Sequence, residues 1–321
     1  MLINQSAPPG AKIAVIGAIH LDRIAHAVVP ILQDTSTPGS IEPKPGGVAT
    51  NISRALARLQ QAPALIGCLG ADADGRFLME NLAQSGVDTA GINMLEDQRT
   101  GSYLALHQPD GELFAAIADS EITASIPLPS QHHLPAKLQD AQIWLCETNL
   151  EPSYLQALAA CKGKRLLAAD TVSIAKAPRL RPLLPYLDLL FTNKAEAAAL
   201  LDLPQETGTE ELASTLAAKG CGTVAITNSS KPLTLYAAGQ LSNLPVLPAN
   251  IVDVTGAGDA FIAGFLAAFA SDNKDPHRAA YHGLTASAIA VEATGAAPTS
   301  LSQDAIQKRL ADHISTLEQS L

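Results

Sequence analysis

Cysteine is scarce in this 321-residue chain: Cys68, Cys146, Cys161 and Cys221 lie far apart and form no C-x-x-C pair. That excludes a disulfide framework and predicts reduced, mostly buried thiols of a cytoplasmic protein. None of them carries a nucleophile signature. Positive charge is also short, with 21 Lys and Arg against 31 Asp and Glu and a net charge of -10. Such a balance gives no general attraction to nucleic acid or to an anionic membrane. The stretch "MLINQSAPPGAK" lacks a basic segment followed by an apolar one, so no signal peptide is expected. Later apolar runs are broken by Pro, Gly or charge before they reach bilayer-spanning length. No H-E-x-x-H spacing occurs, and His132 and His133 sit in a Pro-flanked loop, so the histidines predict no zinc site. There is no internal repeat, low-complexity tract or linker.

What is present is apolar material, 47% of residues, enough for one large core or two modest ones. "KIAVIGAI" (12–19) reads as a buried strand, and "GGVATNISRALARLQ" places Ile52, Leu56 and Leu59 at helical spacing behind two glycines. "APALIGCLG" is a second short strand, and "DADGRFLMENLAQSGV" an amphipathic helix closed by Gly86. Further strands follow at "QIWLCET", "RLLAAD", "LDLLFTN", "GTVAITN" and "LTLYAA", with helical patterns between several of them. This alternation predicts an α/β fold with a largely parallel sheet covered on both faces. Residues 100–119, "TGSYLALHQPDGELFAAIAD", break the rhythm as two strands joined at Pro109-Asp110-Gly111. They predict an edge ornament or a flap over a ligand. The irregular piece 22–42, with "VVPIL", is a source of further flap strands. The expectation is one domain over 12–321 with lid segments at about 22–42 and 99–122. In the closing segment, Leu301, Ile306, Leu310 and Ile314 share one helical face, as in a covering helix.

The most informative stretch is "DVTGAGDAF" (253–261). G-x-G-x-x-G fails because Phe261 stands at the third glycine, and G-x-x-x-x-G-K-[ST] occurs nowhere. "TGAGDA" instead offers backbone amides at a helix start, which point at an incoming anion. Asp259 is an odd neighbour for a bound anion unless it removes a proton from a hydroxyl that attacks phosphorus.

"PGGVATN", "NKAE" (193–196) and "DVTGAGDAF", in this order, resemble the ribokinase-like pfkB sugar kinases, from about Lys12 onward. The resemblance implies ATP and Mg²⁺ as cofactors. It implies Asp259 as catalytic base, with Gly256, Ala257 and Gly258 as amide donors around the transferred phosphoryl group. Asn193 and Glu196 would lie near the ATP phosphates and hydrated Mg²⁺. Asp22, Gly46, Gly47 and Asn51 would hold the sugar hydroxyls. Asp253 and Thr255 match positions of a monovalent-cation site in some members, where K⁺ would bind. After "GTVAIT" the family pattern T-x-G-x-x-G is replaced by "TNSSKP", so Thr227 keeps its place near ATP while Ser229 replaces a glycine. His20 stands where family members often carry Asn, as a substrate contact or a locally satisfied strand-end histidine.

Within the family, the lid segment 100–122, "ETNLEP" (147–152) and "ADTVSIAKAPRL" (169–180) resemble the pseudouridine kinases. The departures are Thr171 and Thr192 for prolines, and Ala118 and Ser120 beside Asp119. The resemblance implies phosphorylation of the ribose 5′-hydroxyl of pseudouridine, with Tyr103 and Asp119 as candidates to touch the base. Tyr103 alternates with Leu104 and could equally pack in the lid; Lys176 could reach the pocket or be solvated, and the solvated reading is favoured. Alternatives are a kinase for ribose or another nucleoside, and a catalytically silent sugar-binding member. Neither nucleic acid nor membrane is an expected partner, and an exposed lid edge offers a homodimer contact.

Overall fold

In the computed structural model, residues 12–132, 134–270 and 274–319 are described, with side chains described as far as His313. The stretch 1–11, His133 and the side chain of Ile314 lie outside them. Short apolar runs become strands wherever both faces are covered. In chain order the elements begin with β1 (Ile13–Ile16), β2 (His20–Ala27), β3 (Gly39–Gly46), α1 (Val48–Arg58), β4 (Ala64–Gly70) and α2 (Ala73–Gln84). There follow β5 (Asp88–Leu95), β6 (Gly101–His107), β7 (Leu113–Asp119), α3 (Ala136–Asp140), β8 (Ile143–Glu147) and α4 (Pro152–Cys161). Next come β9 (Leu166–Asp170), β10 (Leu189–Asn193), α5 (Lys194–Leu201), α6 (Thr209–Ala218), β11 (Thr223–Asn228), β12 (Lys231–Ala237) and β13 (Gln240–Leu244). The last helices are α7 (Ala257–Phe269), α8 (Pro276–Val291) and α9 (Gln303–Gln319). Short 3₁₀ segments span Glu121–Ser125 and Ala177–Tyr186.

A nine-stranded sheet has the order β13-β12-β11-β10-β9-β8-β1-β4-β5. From β5 to β11 every pairing is parallel, and β12 and β13 append an antiparallel edge. Its two faces carry separate buried clusters, one with α1, α7 and α8, the other with Trp144, α4, α5 and α6. Cys68, Cys146 and Cys221 are buried there as free thiols. Burial pushes Cys68 up to about 11 and Cys221 up to about 12, which keeps both inert near neutrality. Phe191 packs edge-on to Phe265 of α7, ring centroids 5.1 Å apart, and this fixes the height of α7 above β10. Leu301 and Ile306 are buried and Leu310 packs on the same core, so the closing segment does cover it. Among the described residues no helix is long and apolar enough to cross a membrane.

The irregular piece and the hairpin together build a second sheet, of order β3-β2-β6-β7. The turn between β6 and β7 closes with Gly111 at φ 88° and Gln108 donating to Glu112 at 2.9 Å. "VVPIL" forms no strand; it follows β2, and Val28, Val29 and Leu32 are exposed. Asp22 pairs with Lys44 and Tyr103, and Tyr103 with Ala118, so these share one face of the small sheet. Asp119 pairs with Ser102, opposite Leu21, and belongs to the other face.

Polar bonds tie the root of this lid to the body. Asp72 caps α2 at Gly75 and also accepts from the amide and hydroxyl of Thr100, at 2.8 and 2.7 Å. Arg23 of β2 donates to Asp74 at 2.6 Å and to Ser102 at 3.0 Å. Beyond the root, all of β7 is exposed. Amides of β3, β6 and β7 should therefore exchange hydrogen faster than those of β1, β8 and β9, and slow when acceptor binds. Exchange mass spectrometry checks this; unchanged lid exchange at saturating acceptor contradicts closure over the site.

Candidate functional site

Parallel strands all deliver their carboxyl ends to one edge, where α/β sheets bind ligands. Here that edge carries Gly17 and Ala18 after β1, Glu147 at the end of β8, Asp170 at the end of β9 and Asn193 at the end of β10. The first turn of α7 faces them. Gly256 enters α7 in the left-handed region, φ 73°, and no side chain caps this terminus. The amide of Ala257 donates back to Val254 O at 3.2 Å, while those of Gly258 and Asp259 have no intrahelical partner, the arrangement that suits an anion at a helix start.

Asp259 stands in that turn. Its Oδ2 accepts from Asn51 Nδ2 at 2.9 Å, a contact between α7 and α1. Burial pushes its carboxyl up to about 7; the Asn51 bond opposes this and the Glu147 charge adds to it. Asp170 is pushed well above the carboxylate range by burial, then by the charges of Asp259, Glu196 and Glu147. Glu147 is raised by its burial, offset by bonds from Ala18 N at 2.6 Å and Asn149 N at 2.5 Å. Sequence reading missed Glu147 and Asp170. The available signal was an acid closing each of the apolar runs "QIWLCE" and "RLLAAD", where a parallel strand meets the ligand edge.

The N-x-x-E motif is a capping box. Asn193 accepts from the Glu196 amide at 2.9 Å, and Glu196 reaches back to the Asn193 amide at 3.4 Å. The two threonines that depart from the family pattern support the same carboxylate. Thr171 donates to Glu196 at 2.5 Å and its hydroxyl lies 3.0 Å from that of Thr192. Asp170, Asn193, Glu196, Thr227, Gly258 and Asp259 all line one small cavity of about 140 Å³. A neighbouring cavity of about 150 Å³ is lined by Thr227, Ser229, Ala257 and Gly258. Ser229 has φ 52°, so the serine keeps a left-handed conformation that glycine favours. Among the described residues no three metal-ligating side chains cluster to hold an ion directly.

On the other side of Asn51, a cleft of about 630 Å³ opens between lid and body, lined by Asp22, Lys44, Asn51, Arg54, Asp253 and Thr255 among others. Gly46 and Gly47, between the lining residues Pro45 and Asn51, allow close approach of the chain. A Cβ on Gly46 would lie 2.1 Å from the Asp22 carboxylate, and one on Gly47, φ 97°, would lie 2.3 Å from Ala18 O. His20 is satisfied locally, its Nδ1 2.7 Å from Asp22 Oδ1, and its ring lies 6.4 Å from that of Tyr103. Asp253 uses both oxygens on the amides of Thr255 and Gly295, at 2.8 and 3.0 Å. Burial raises its carboxyl, but those bonds and the Lys44 charge hold it below its usual value. The Nε of Arg54 is buried without a partner, and the residue has no ion pair among the described residues. Tyr103 and Asp119 are not brought together: Tyr103 shares the face of Asp22, while Asp119 lines a separate cavity at the lid root.

The two motif glycines have different duties. A Cβ on Gly256 would lie 2.4 Å from Ala296 Cα, whereas one on Gly258 meets nothing within 4 Å. Gly256→Ala should lower thermal stability, by about 1–3 kcal/mol for an L-residue forced into that conformation. Gly258→Val should melt like the parent yet lose ATP turnover, because its side chain would fill the space that both small cavities share; melting curves beside turnover separate the two. Asp259 also gives pH signatures. Its folded-state pKa is raised to about 7, so its unfavourable contribution grows as pH rises from 4 through 7. Asp259→Asn should therefore stabilise the fold above pH 7 and match the parent near pH 4, which denaturant melts at both pH values would read.

A model of the pfkB family of carbohydrate kinases matches residues 11–303. A pseudouridine kinase of Escherichia coli (strain K12) is 27% identical over 257 residues, 78% of this chain and 82% of its own. A carbohydrate kinase from Agrobacterium tumefaciens superposes with a TM-score of 0.81 at 31% identity, over 93% of this chain and 96% of its own. The ribokinase of Arabidopsis thaliana complexed with ribose and ATP gives 0.84 at 23% identity, over 94% and 99%, a likeness of fold. With a ribokinase-like fold and a family match along nearly its whole length, the chain belongs to the pfkB family of carbohydrate kinases.

Proposed function

We propose that the protein is an ATP-dependent kinase that phosphorylates the ribose 5′-hydroxyl of pseudouridine, giving pseudouridine 5′-phosphate and ADP. The observation that carries the reading is the placement of Asp259: a carboxyl with a pKa near 7, oriented by Asn51, in the uncapped first turn of α7. Asp259 takes the hydroxyl proton as the oxygen attacks the terminal phosphorus, and the amides of Gly256, Ala257 and Gly258 receive the charge that develops there. Asp22, Gly46, Gly47 and Asn51 hold the ribose, with His20 orienting Asp22. Asn193, Thr227 and Ser229 line the nucleotide side. The carboxylates of Glu196 and Asp170 suit a hydrated Mg²⁺, which would neutralise charge on the phosphates. Asp253 and Thr255 are the place for a monovalent cation such as K⁺. Cytoplasmic residence fits the free, buried thiols. Exposed Ile41, Leu113, Phe114 and Ile117 support a homodimer through the lid.

The pseudouridine assignment is supported by the likeness of residues 100–122, 147–152 and 169–180 to that group and by the Escherichia coli relative. A second reading is favoured by Arg54: an unpaired guanidinium beside the acceptor cleft suits an acceptor that carries an anionic group. A mass-spectrometric panel with ATP-Mg²⁺ against pseudouridine, uridine, adenosine, ribose, fructose and ribose 1-phosphate decides. Pseudouridine should exceed uridine by at least about tenfold in kcat/KM, the discrimination expected from one buried polar group left unpaired. Equal use of both, or preference for ribose, removes pseudouridine; preference for ribose 1-phosphate establishes the Arg54 reading. Asp259→Asn should lower turnover by ~10²–10⁴ while acceptor binding survives. Near-normal turnover would make the chain's chemistry independent of Asp259, and no turnover in the parent would leave a sugar-binding protein.

A further inference from the structure

The chain between β13 and α7, residues 245–256, forms no strand or helix, yet it leads directly into the turn that carries Asp259. From 248 to 256 no residue is buried, and Ile251, Val252 and Val254 are 68, 64 and 65% exposed. Core packing therefore does not fix this approach to α7. Its position depends on polar bonds, and such segments are the first to open locally.

Those bonds tie it to the end of α8 and the residues that follow. The amides of Val252 and Asp253 both donate to Val291 O, at 2.7 and 3.2 Å. The Asp253 carboxylate accepts from the Gly295 amide at 3.0 Å, and Gly256 lies so close to Ala296 that a Cβ there would clash. One step earlier, the Asn250 amide donates to Glu292 Oε1 at 3.0 Å. The two segments thus run side by side from Asn250 to the first residue of the α7 turn.

Glu292 is an odd residue for its place. It is the C-cap of α8, where the helix dipole disfavours negative charge. Arg309 of α9 supplies the compensation: Nη1 donates to Glu292 Oε2 at 2.6 Å and Nη2 to Oε1 at 3.0 Å, a bidentate fork. These bonds hold the Glu292 carboxyl below the usual carboxylate range, so the pair stays ionised near neutrality. Nη2 also donates to the carbonyl of Pro248, where the exposed segment begins. One guanidinium therefore grips both sides of the seam at its outer end, which an ammonium without the planar fork does less well. Its helix is itself well seated, since Leu301 and Ile306 are buried and Leu310 packs on the core.

We infer that Arg309 is a positioning residue for phosphoryl transfer: from the covering helix, through Glu292 and Pro248, it holds the segment that sets where the first turn of α7 stands. This rests on the kinase reading of Asp259 and extends it to a residue that touches neither substrate. An ion pair about a quarter to a third exposed adds little to global stability, so its effect is local. Losing it frees the approach to α7 while leaving the acceptor contacts on the lid and α1 in place.

The test uses the full-length protein and whichever acceptor of the panel it phosphorylates best. Arg309→Met should lower kcat by ~10–100-fold, the scale set by a small displacement of reacting groups. The acceptor's dissociation constant, measured without ATP, should stay within about twofold, and the melting midpoint should fall by less than about 4 °C. Hydrogen exchange at 250–256 should quicken while β1, β8 and β9 match the parent. Arg309→Lys keeps the charge without the fork and should recover part of the rate. Glu292→Gln, which keeps its shape, should also slow turnover, and the double variant should be no slower than the slower single one. Should Arg309→Met fail to fold, Glu292→Gln carries the same comparison. Normal kcat in these variants, unchanged exchange at 250–256, or losses that multiply in the double variant would overturn the inference and leave the pair a surface brace. A parent that phosphorylates nothing in the panel removes the kinase reading itself; an active parent equalled by Arg309→Met removes only this inference.

Discussion

A carboxylate taken out of water beside the start of a helix is the constraint on which the site depends. Asp259 would ionise readily in solvent; buried, with Glu147 behind it, it is held near pKa 7, and Asn51 is the neighbour that favours its charged form. The result is a group that can take a proton near neutral pH, set beside amides that favour negative charge. The same burial concentrates acid: Glu147, Asp170, Glu196 and Asp259 interact electrostatically across one strand edge. An acidic edge of this kind is unfavourable in isolation and becomes favourable when phosphates arrive with a cation.

The backbone around this group is shaped to bring three layers close. Gly256 turns the chain into α7 against Ala296, and Gly47 lets the start of α1 approach Ala18. Asn51, one turn into α1, then reaches Asp259. The lid is anchored at its root through Asp72 to Thr100 and Arg23 to Asp74, and free at its tip. That combination holds Asp22 over the cleft, in register with Tyr103, while leaving β7 and the turn at Gly111 able to move.

Much of this was legible in the chain. Alternating apolar runs and helical patterns gave the parallel sheet, and Pro109-Asp110-Gly111 gave the lid hairpin. β5 and β13 were not singled out, because "DTAGINML" and "QLSNL" are too polar to stand out as strands; as edge strands they need less apolar surface. The two motif glycines look equivalent in sequence, and only the backbone separates the strained one from the one facing open space. "NKAE" carries the spacing of a capping box, so its structural duty could have been read beside its resemblance to a phosphate motif. Thr171 and Thr192 look like separate losses of proline, yet they meet across adjacent strands at Glu196. Lys176, which reads as solvated, is half-buried and also donates to Asn149, a partner 27 positions away that the sequence does not place beside it.

The central claim is that Asp259 receives the acceptor's proton while the first turn of α7 receives the phosphoryl group. A crystal structure with pseudouridine and a non-hydrolysable ATP analogue tests it most directly. The account predicts the 5′-oxygen within about 2.6–3.2 Å of an Asp259 oxygen, in line with a terminal phosphate seated on the first turn of α7. An acceptor hydroxyl bonded to another group, with the terminal phosphate away from α7, would contradict it.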